Sequence, residues 1–129
     1  MELSEVLMNV IDGQDPITTL INKTKSLGDD QQDVKLSYQA FCCAMLAKET
    51  TNNLQKIEYI NSYAKYINNA LSINENCYEA RLFRISVEKK LTNVAFENHI
   101  EKDASFLENN MSNLKDENLR KVTQKVLGL

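Results

Sequence analysis

Residues that interrupt helices are rare in this chain, which has three glycines and one proline among 129 residues. Each of the four falls where a run of helically spaced apolar residues begins or ends. No segment sustains the alternation of apolar and polar residues that is typical of a strand. The sequence therefore predicts an all-α protein of about seven helices in antiparallel hairpins, built as one domain over residues 1–129.

The glycines and the proline also predict where individual helices end. Asp15 is suited to an N-cap, with Pro16 at the first position of the helix that follows. We expect Gly28 to adopt the left-handed conformation after that helix, and Gly128 to end the last helix of the chain.

The strongest helical pattern runs from about Val34 to Leu107, where we expect a core of two hairpins. Small residues at Ala40, Ala44 and Ala47 would let another helix approach closely. The longest predicted helix follows, with an apolar stripe made of Leu54, Ile57, Ile60, Ala64, Ile67 and Leu71. A short polar break at residues 74–76 predicts that the next helix folds back against it.

Two charged residues interrupt apolar stripes of the second hairpin. Arg84 lies on the stripe of Cys77, Ala80, Val87 and Leu91, and Asp103 lies on the stripe of Phe96, Ile100 and Leu107. A charge on an apolar helix face is costly unless it is paired. We therefore predict a buried or half-buried ion pair between Arg84 and Asp103, with bidentate geometry as one option. The same cluster is expected to extend outward through Glu79, Arg81, Glu88 and Glu101.

Two further groups of residues are candidates for a site. His99 lies one helical turn before Asp103, so these side chains could touch and act as an acid–base pair. No motif supplies a nucleophile beside them, so we expect no enzyme and no catalytic residues. Tyr59, Tyr63, Tyr66 and Tyr78 are the candidates for a peptide-binding face.

Composition excludes several classes of function. With 15 Lys and Arg against 18 Asp and Glu, the net charge of −3 gives no basic surface for nucleic acid. No apolar run approaches the ~20 residues that span a bilayer, so we expect no membrane insertion. Three cysteines at 42, 43 and 77 fit reduced thiols and a cytoplasmic protein. No motif for a metal or cofactor is present.

The segment YAKYINNALSINENCYEARLFR, residues 63–84, resembles the junction between two tetratricopeptide repeats. Ala70, Leu71 and Ile73 match the closing positions of one repeat, and Asn76 and Ala80 match the turn and the start of the next. The family prefers proline at 75, a large aromatic residue at 81 and glycine at 85, where this chain has Glu, Arg and Ile. Because no 34-residue period continues along the chain, the resemblance implies TPR-like hairpins and no longer array.

The region from about Leu36 to Leu107 is also similar to an uncharacterised family of small helical proteins from Bacteroidota. The match rests on ALSINEN, EARLFR and IEKD, which contain Glu79, Arg81, Arg84, Glu101 and Asp103. This resemblance implies a bacterial helical protein and no particular activity.

Together these patterns favour a non-enzymatic helical scaffold that binds a protein or peptide partner. Pairing of two copies into a homodimer is a further option. An alternative is a bundle that binds a small ligand or an anion through Arg81 and Arg84. A third, remote alternative is an enzyme that uses His99 and Asp103.

Overall fold

The computed structural model of the chain describes residues 2–90 and 97–129, with side chains in the second range from residue 99 onward. All regular structure in these two ranges is helical, so the predicted all-α fold class is confirmed. Their α-helices are α1 (Leu3–Ile11), α2 (Ile17–Lys25), α3 (Gln32–Glu49), α4 (Asn53–Ile73), α5 (Tyr78–Glu88), α6 (Glu97–Asn110) and α7 (Glu117–Leu127). Leu91 and Phe96, which the sequence places on the stripes of Arg84 and Asp103, lie outside the described residues.

The helix ends differ from the sequence prediction at two places. Gly128 ends α7 in the left-handed conformation, with φ of 76°. Gly28 has a φ of −78° and is not left-handed. The reason is that α2 already ends at Lys25, so the chain has left the helix before it reaches Gly28. Pro16 lies at the N-cap of α2, one position before its predicted place.

The helices of the predicted core pack as two pairs, α3 with α4 and α5 with α6. The contact predicted between α4 and α5 is only a minor one. α3 and α4 pack along their length and are joined by residues 50–52, which makes them an antiparallel hairpin. α5 pairs with α6, and it packs mainly against α3 and only lightly against α4. The predicted folding of α5 back onto α4 is therefore wrong. The Asn74 side-chain amide donates to the Asp33 carboxylate at 3.1 Å, which ties the turn after α4 to the start of α3.

A single buried core contains side chains from α1 to α7. At its centre Phe83 of α5 is fully buried, and its ring lies 4.9 Å from the rings of both Tyr38 and Phe41 of α3. α2 packs on α3, and α1 packs on α2 and α7. The Ser4 hydroxyl donates to the Asp116 carboxylate at 2.9 Å, which links α1 to the start of α7. The N-terminal helices are thus part of the same core.

The apolar stripe of α4 is covered over only part of its length. Ile67 is buried, whereas Leu54, Ile57 and Ile60 are 68%, 57% and 41% exposed. Because α5 lies mainly over α3 and contacts α4 only lightly, these three side chains stay uncovered in the described part of the chain. A stripe that the sequence predicts to be one buried surface is therefore half open.

Candidate functional site

The charged residues of α5 and α6 meet in an antiparallel register. Arg84 Nε donates to Asp103 Oδ2 at 2.7 Å, and Arg84 Nη2 donates to Asp103 Oδ1 at the same distance. Both side chains are buried, and Asp103 has no exposed surface. The structure therefore brings the two predicted partners together, and their contact is bidentate.

Arg81 adds a second guanidinium to the same carboxylate. Its Nη1 lies 3.3 Å from Asp103 Oδ1, and its Nε donates to the Glu75 carbonyl at 2.8 Å. The guanidinium carbon also lies 4.7 Å from the centre of the Phe106 ring, which allows a cation–π contact. Both arginines thus have acceptors within the protein.

Two opposing effects act on the pKa of Arg84. Burial lowers this pKa, but the hydrogen bonds and the charge of Asp103 act in the opposite direction and leave it above its usual value. The guanidinium remains charged, so Asp103 has to remain beside it. We infer that this cluster stabilises the contact between α5 and α6.

Two glutamates predicted to extend the cluster lie elsewhere. Glu101 is exposed on α6. Glu79 is half-buried on α5, where burial raises its pKa and the carboxylates of Asp33 and Asp116 raise it further. No ion pair joins either glutamate to Arg81 or Arg84 in the described residues. The helical wheel placed them near the arginines, but Glu101 is exposed and the charges that act on Glu79 are those of Asp33 and Asp116.

His99 contacts Glu88 and not Asp103. His99 Nδ1 lies 3.3 Å from Glu88 Oε1, and the imidazole is about half exposed. The register explains this pairing, because residues near the start of α6 meet residues near the end of α5. Asp103 faces the arginines one turn further on. The acid–base pair of His99 with Asp103 is therefore not formed.

The four tyrosines do not form one face. Tyr63 is buried, while Tyr59 and Tyr66 on the same helix are half-buried. Tyr78 lies at the start of α5, where its hydroxyl forms a 2.6 Å hydrogen bond with the Thr123 hydroxyl of α7. One ring is enclosed and another is bonded to a different helix, so these four residues do not share one surface.

A groove lies where the stripe of α4 is open, between α3, α4 and the end of α5. Its volume is about 560 Å³, within the range of about 300–1,000 Å³ found for ligand pockets. Its walls are mostly apolar and include Phe41, Ala44, Met45, Ile60, Ala64 and Ile67. We call it the α3–α4 groove. The small-residue stripe of α3 thus borders open space along part of its length instead of a close helix.

Four polar side chains also line the α3–α4 groove, and we call them the polar cluster: Tyr63, Arg84, Glu88 and His99. Two of their atoms, the Tyr63 hydroxyl and Glu88 Oε2, find no hydrogen-bond partner in the part of the chain that the structure describes. These residues are 6% and 3% exposed. Burial raises the pKa of the Tyr63 hydroxyl, and the Glu88 carboxylate raises it further. The groove therefore combines apolar walls with unsatisfied polar atoms.

Lysines surround the opening of the groove. Lys48, Lys56 and Lys90 are exposed and line it, and none of them forms an ion pair with a described residue. Burial lowers the pKa of Lys90, and the positive charges of Lys48 and Lys125 lower it further. A chain with a net charge of −3 thus has a local concentration of positive charge at this opening.

The sequence contained one signal for the groove. The predicted stripe of α4 has three large apolar residues, Leu54, Ile57 and Ile60, beyond the part that the neighbouring helices cover. Such an excess indicates an exposed apolar surface, although periodicity alone does not show which end of the stripe stays open.

The buried carboxyl group of Glu88 predicts a pH effect on stability. Burial raises its pKa above the usual value of 4.5, while the neighbouring His99 and Arg84 act in the opposite direction. A raised pKa means that the protonated form favours folding, so this contribution is complete below about pH 4 and is lost as pH rises through the folded-state pKa. Relative to wild type, Glu88→Gln should therefore become more stable as pH rises from about 4 to 7.

The measurement is the free energy of unfolding of both proteins by urea at several pH values. The expected gain is roughly 1.4 kcal/mol for each unit by which the pKa is raised. Glu101→Gln removes an exposed carboxylate from the same region and serves as the control for charge alone. A difference between Glu88→Gln and wild type that does not change with pH would contradict the prediction.

The described residues contain neither a metal site nor a membrane span, and comparisons with known proteins find no relative. Among the described residues, no three His, Cys, Asp or Glu side chains converge as ligands for a metal ion. None of the described helices has the length and apolar content needed to cross a bilayer. No family model, curated protein or solved structure matches the chain.

Proposed function

We propose that the protein is a non-enzymatic interaction module whose α3–α4 groove binds an amphipathic helix of a partner protein. The observation that carries the proposal is the open stripe of α4. Ile57 and Ile60 are large apolar residues with about half of their surface exposed, and Ile60 continues directly into the groove. Exposed apolar surface of this kind is typical of protein contacts.

The shape of the open surface favours a helix over a compact small molecule. The open part of the stripe begins at Leu54, and the groove extends along α4 as far as Ile67, which at 1.5 Å per residue is roughly 20 Å away. A helix of three to four turns has that length and presents apolar side chains at positions i, i+3, i+4 and i+7. The surface is thus long and narrow, as in other helix-in-groove contacts.

The charge around the groove favours an acidic partner. Lys48, Lys56 and Lys90 lie at its opening without ion pairs to described residues. Acidic residues on the polar face of a bound helix would relieve the repulsion among these lysines. We therefore expect binding to weaken as ionic strength rises.

The test is selection of helical peptides of about 16 residues from a display library, followed by affinity measurements on the enriched peptides. We expect enriched sequences to be acidic and amphipathic. Ile57→Asp should weaken their binding about tenfold or more, because it places a charge on the apolar contact surface. The matched control is Ile73→Asp, since Ile73 is 56% exposed on the same helix but lies at its C-terminal end, away from the open part of the stripe.

Several results would overturn the proposal. One is the enrichment of no acidic amphipathic sequence, and another is an equal loss of binding in Ile57→Asp and Ile73→Asp. Sedimentation of the protein alone tests the homodimer: self-association that Ile57→Asp abolishes would assign the groove to a second copy.

The compartment and the family resemblances are part of the same proposal. Cys42, Cys43 and Cys77 are free thiols, which suits the reducing cytoplasm. A bacterial cytoplasmic protein with TPR-like hairpins and no catalytic site is consistent with a binding role.

A further inference from the structure

The polar cluster contains two buried atoms that have no hydrogen-bond partner among the described residues. The Tyr63 hydroxyl of α4 and Glu88 Oε2 of α5 both lie without a hydrogen-bond partner, and both residues line the α3–α4 groove. Most buried polar atoms in folded proteins have a partner. These two atoms are therefore positioned to receive one from a molecule in the groove.

Neighbouring groups make their printed hydrogen bonds to other atoms and leave these two unpaired among the described residues. Glu88 Oε1 contacts the His99 ring at 3.3 Å. The Arg84 guanidinium donates from Nε and Nη2 to Asp103. Glu88 is held by its first oxygen, while its second oxygen is buried and has no partner among the described residues.

This inference rests on the proposed function. We propose that the bound helix carries an asparagine or glutamine within its apolar stripe, and that the side-chain amide of this residue contacts the polar cluster. The amide nitrogen donates to Glu88 Oε2, and the amide oxygen accepts from the Tyr63 hydroxyl. One group thereby satisfies atoms on both α4 and α5.

Other polar groups fit this position less well. A carboxylate would be repelled by Glu88, and an ammonium group would lie close to Arg84 and to the lysines of the groove. A hydroxyl has a single hydrogen to donate and is shorter, whereas an amide has a donor and an acceptor on separate atoms. An apolar residue would leave both buried atoms unpaired.

The experiment uses peptides selected for the groove, each made in versions that differ at one apolar position. Asparagine or leucine is placed at each position of the apolar stripe in turn, and dissociation constants are measured by fluorescence anisotropy. At one position we expect asparagine to bind about tenfold more tightly than leucine, the change expected for one satisfied buried hydrogen bond. Tyr63→Phe should remove most of that preference, and Glu88→Met should remove the rest.

Controls separate this inference from the proposed function. Ile57→Asp should weaken the asparagine and leucine peptides equally. Thermal unfolding of Tyr63→Phe alone should show no loss of stability, because the hydroxyl has no partner in the free protein. If Glu88→Met does not fold, Tyr63→Phe still provides the test.

Two outcomes overturn the inference in different ways. If peptides bind and depend on Ile57 but show no position that prefers asparagine, the amide contact is wrong and the proposed function stands. If a preference exists but Tyr63→Phe leaves it unchanged, the amide lies elsewhere in the groove and the assignment to the polar cluster is wrong. If no peptide binds, the proposed function and this inference both fail.

Discussion

Replacing Asp103 with alanine should lower the free energy of unfolding by about 3–5 kcal/mol. Asp103 is fully buried and accepts hydrogen bonds from both Arg84 and Arg81. Without it, the Arg84 guanidinium stays buried without its counter-charge, and removing one member of such a pair is far more costly than removing both. Urea denaturation of wild type and variant at neutral pH measures the loss.

Two further variants show whether the loss comes from the buried ion pair. Glu101→Ala removes an exposed carboxylate from the same helix and should change stability by less than about 0.5 kcal/mol. The double variant Arg84→Met with Asp103→Leu should recover much of the loss, since no buried charge remains. A loss below about 1 kcal/mol in Asp103→Ala alone would show that the pair is not the buried contact described here.

Phe83→Ala should destabilise the protein by about 3–5 kcal/mol through a cavity in the core. Phe83 has no exposed surface, and its ring packs at 4.9 Å against both Tyr38 and Phe41. Because these contacts join α5 to α3, the variant should also weaken the packing that positions the α3–α4 groove. The same denaturation series measures this loss.

The control for Phe83→Ala is Ile73→Ala, which truncates an exposed apolar residue of α4. It should change stability by less than about 0.5 kcal/mol, because no cavity forms at the surface. Phe83→Leu should give an intermediate loss, since leucine fills part of the space. A loss in Phe83→Ala no greater than in Ile73→Ala would mean that Phe83 is not part of a packed core.

The contact between Arg84 and Asp103 was predictable because each residue interrupts an otherwise apolar helix face. A buried charge is costly in any fold, so two opposite charges on adjacent helices have to meet. The partner of His99 was not predictable in the same way. Spacing along one helix favoured Asp103, and only the register of α5 against α6 shows that Glu88 is the residue beside it.

The sequence pattern also did not predict which helix α5 packs against. A short break after α4 indicates that the chain turns, but it does not show which neighbour the next helix packs on. Two contacts direct α5 to α3. One is the hydrogen bond between Asn74 and Asp33, and the other is the packing of buried Phe83 against α3. The open stripe of α4 and the α3–α4 groove both result from this choice.

The sequence by itself therefore determined the helical class and the pairing of Arg84 with Asp103. Glycine and proline positions, helical periodicity and the cost of a buried charge are local properties that act in every compact arrangement of the chain. Only the tertiary structure decided that Leu54, Ile57 and Ile60 stay exposed and that Tyr63 and Glu88 face a groove. Whether a helix face is covered depends on where distant segments pack, and periodicity does not contain that information.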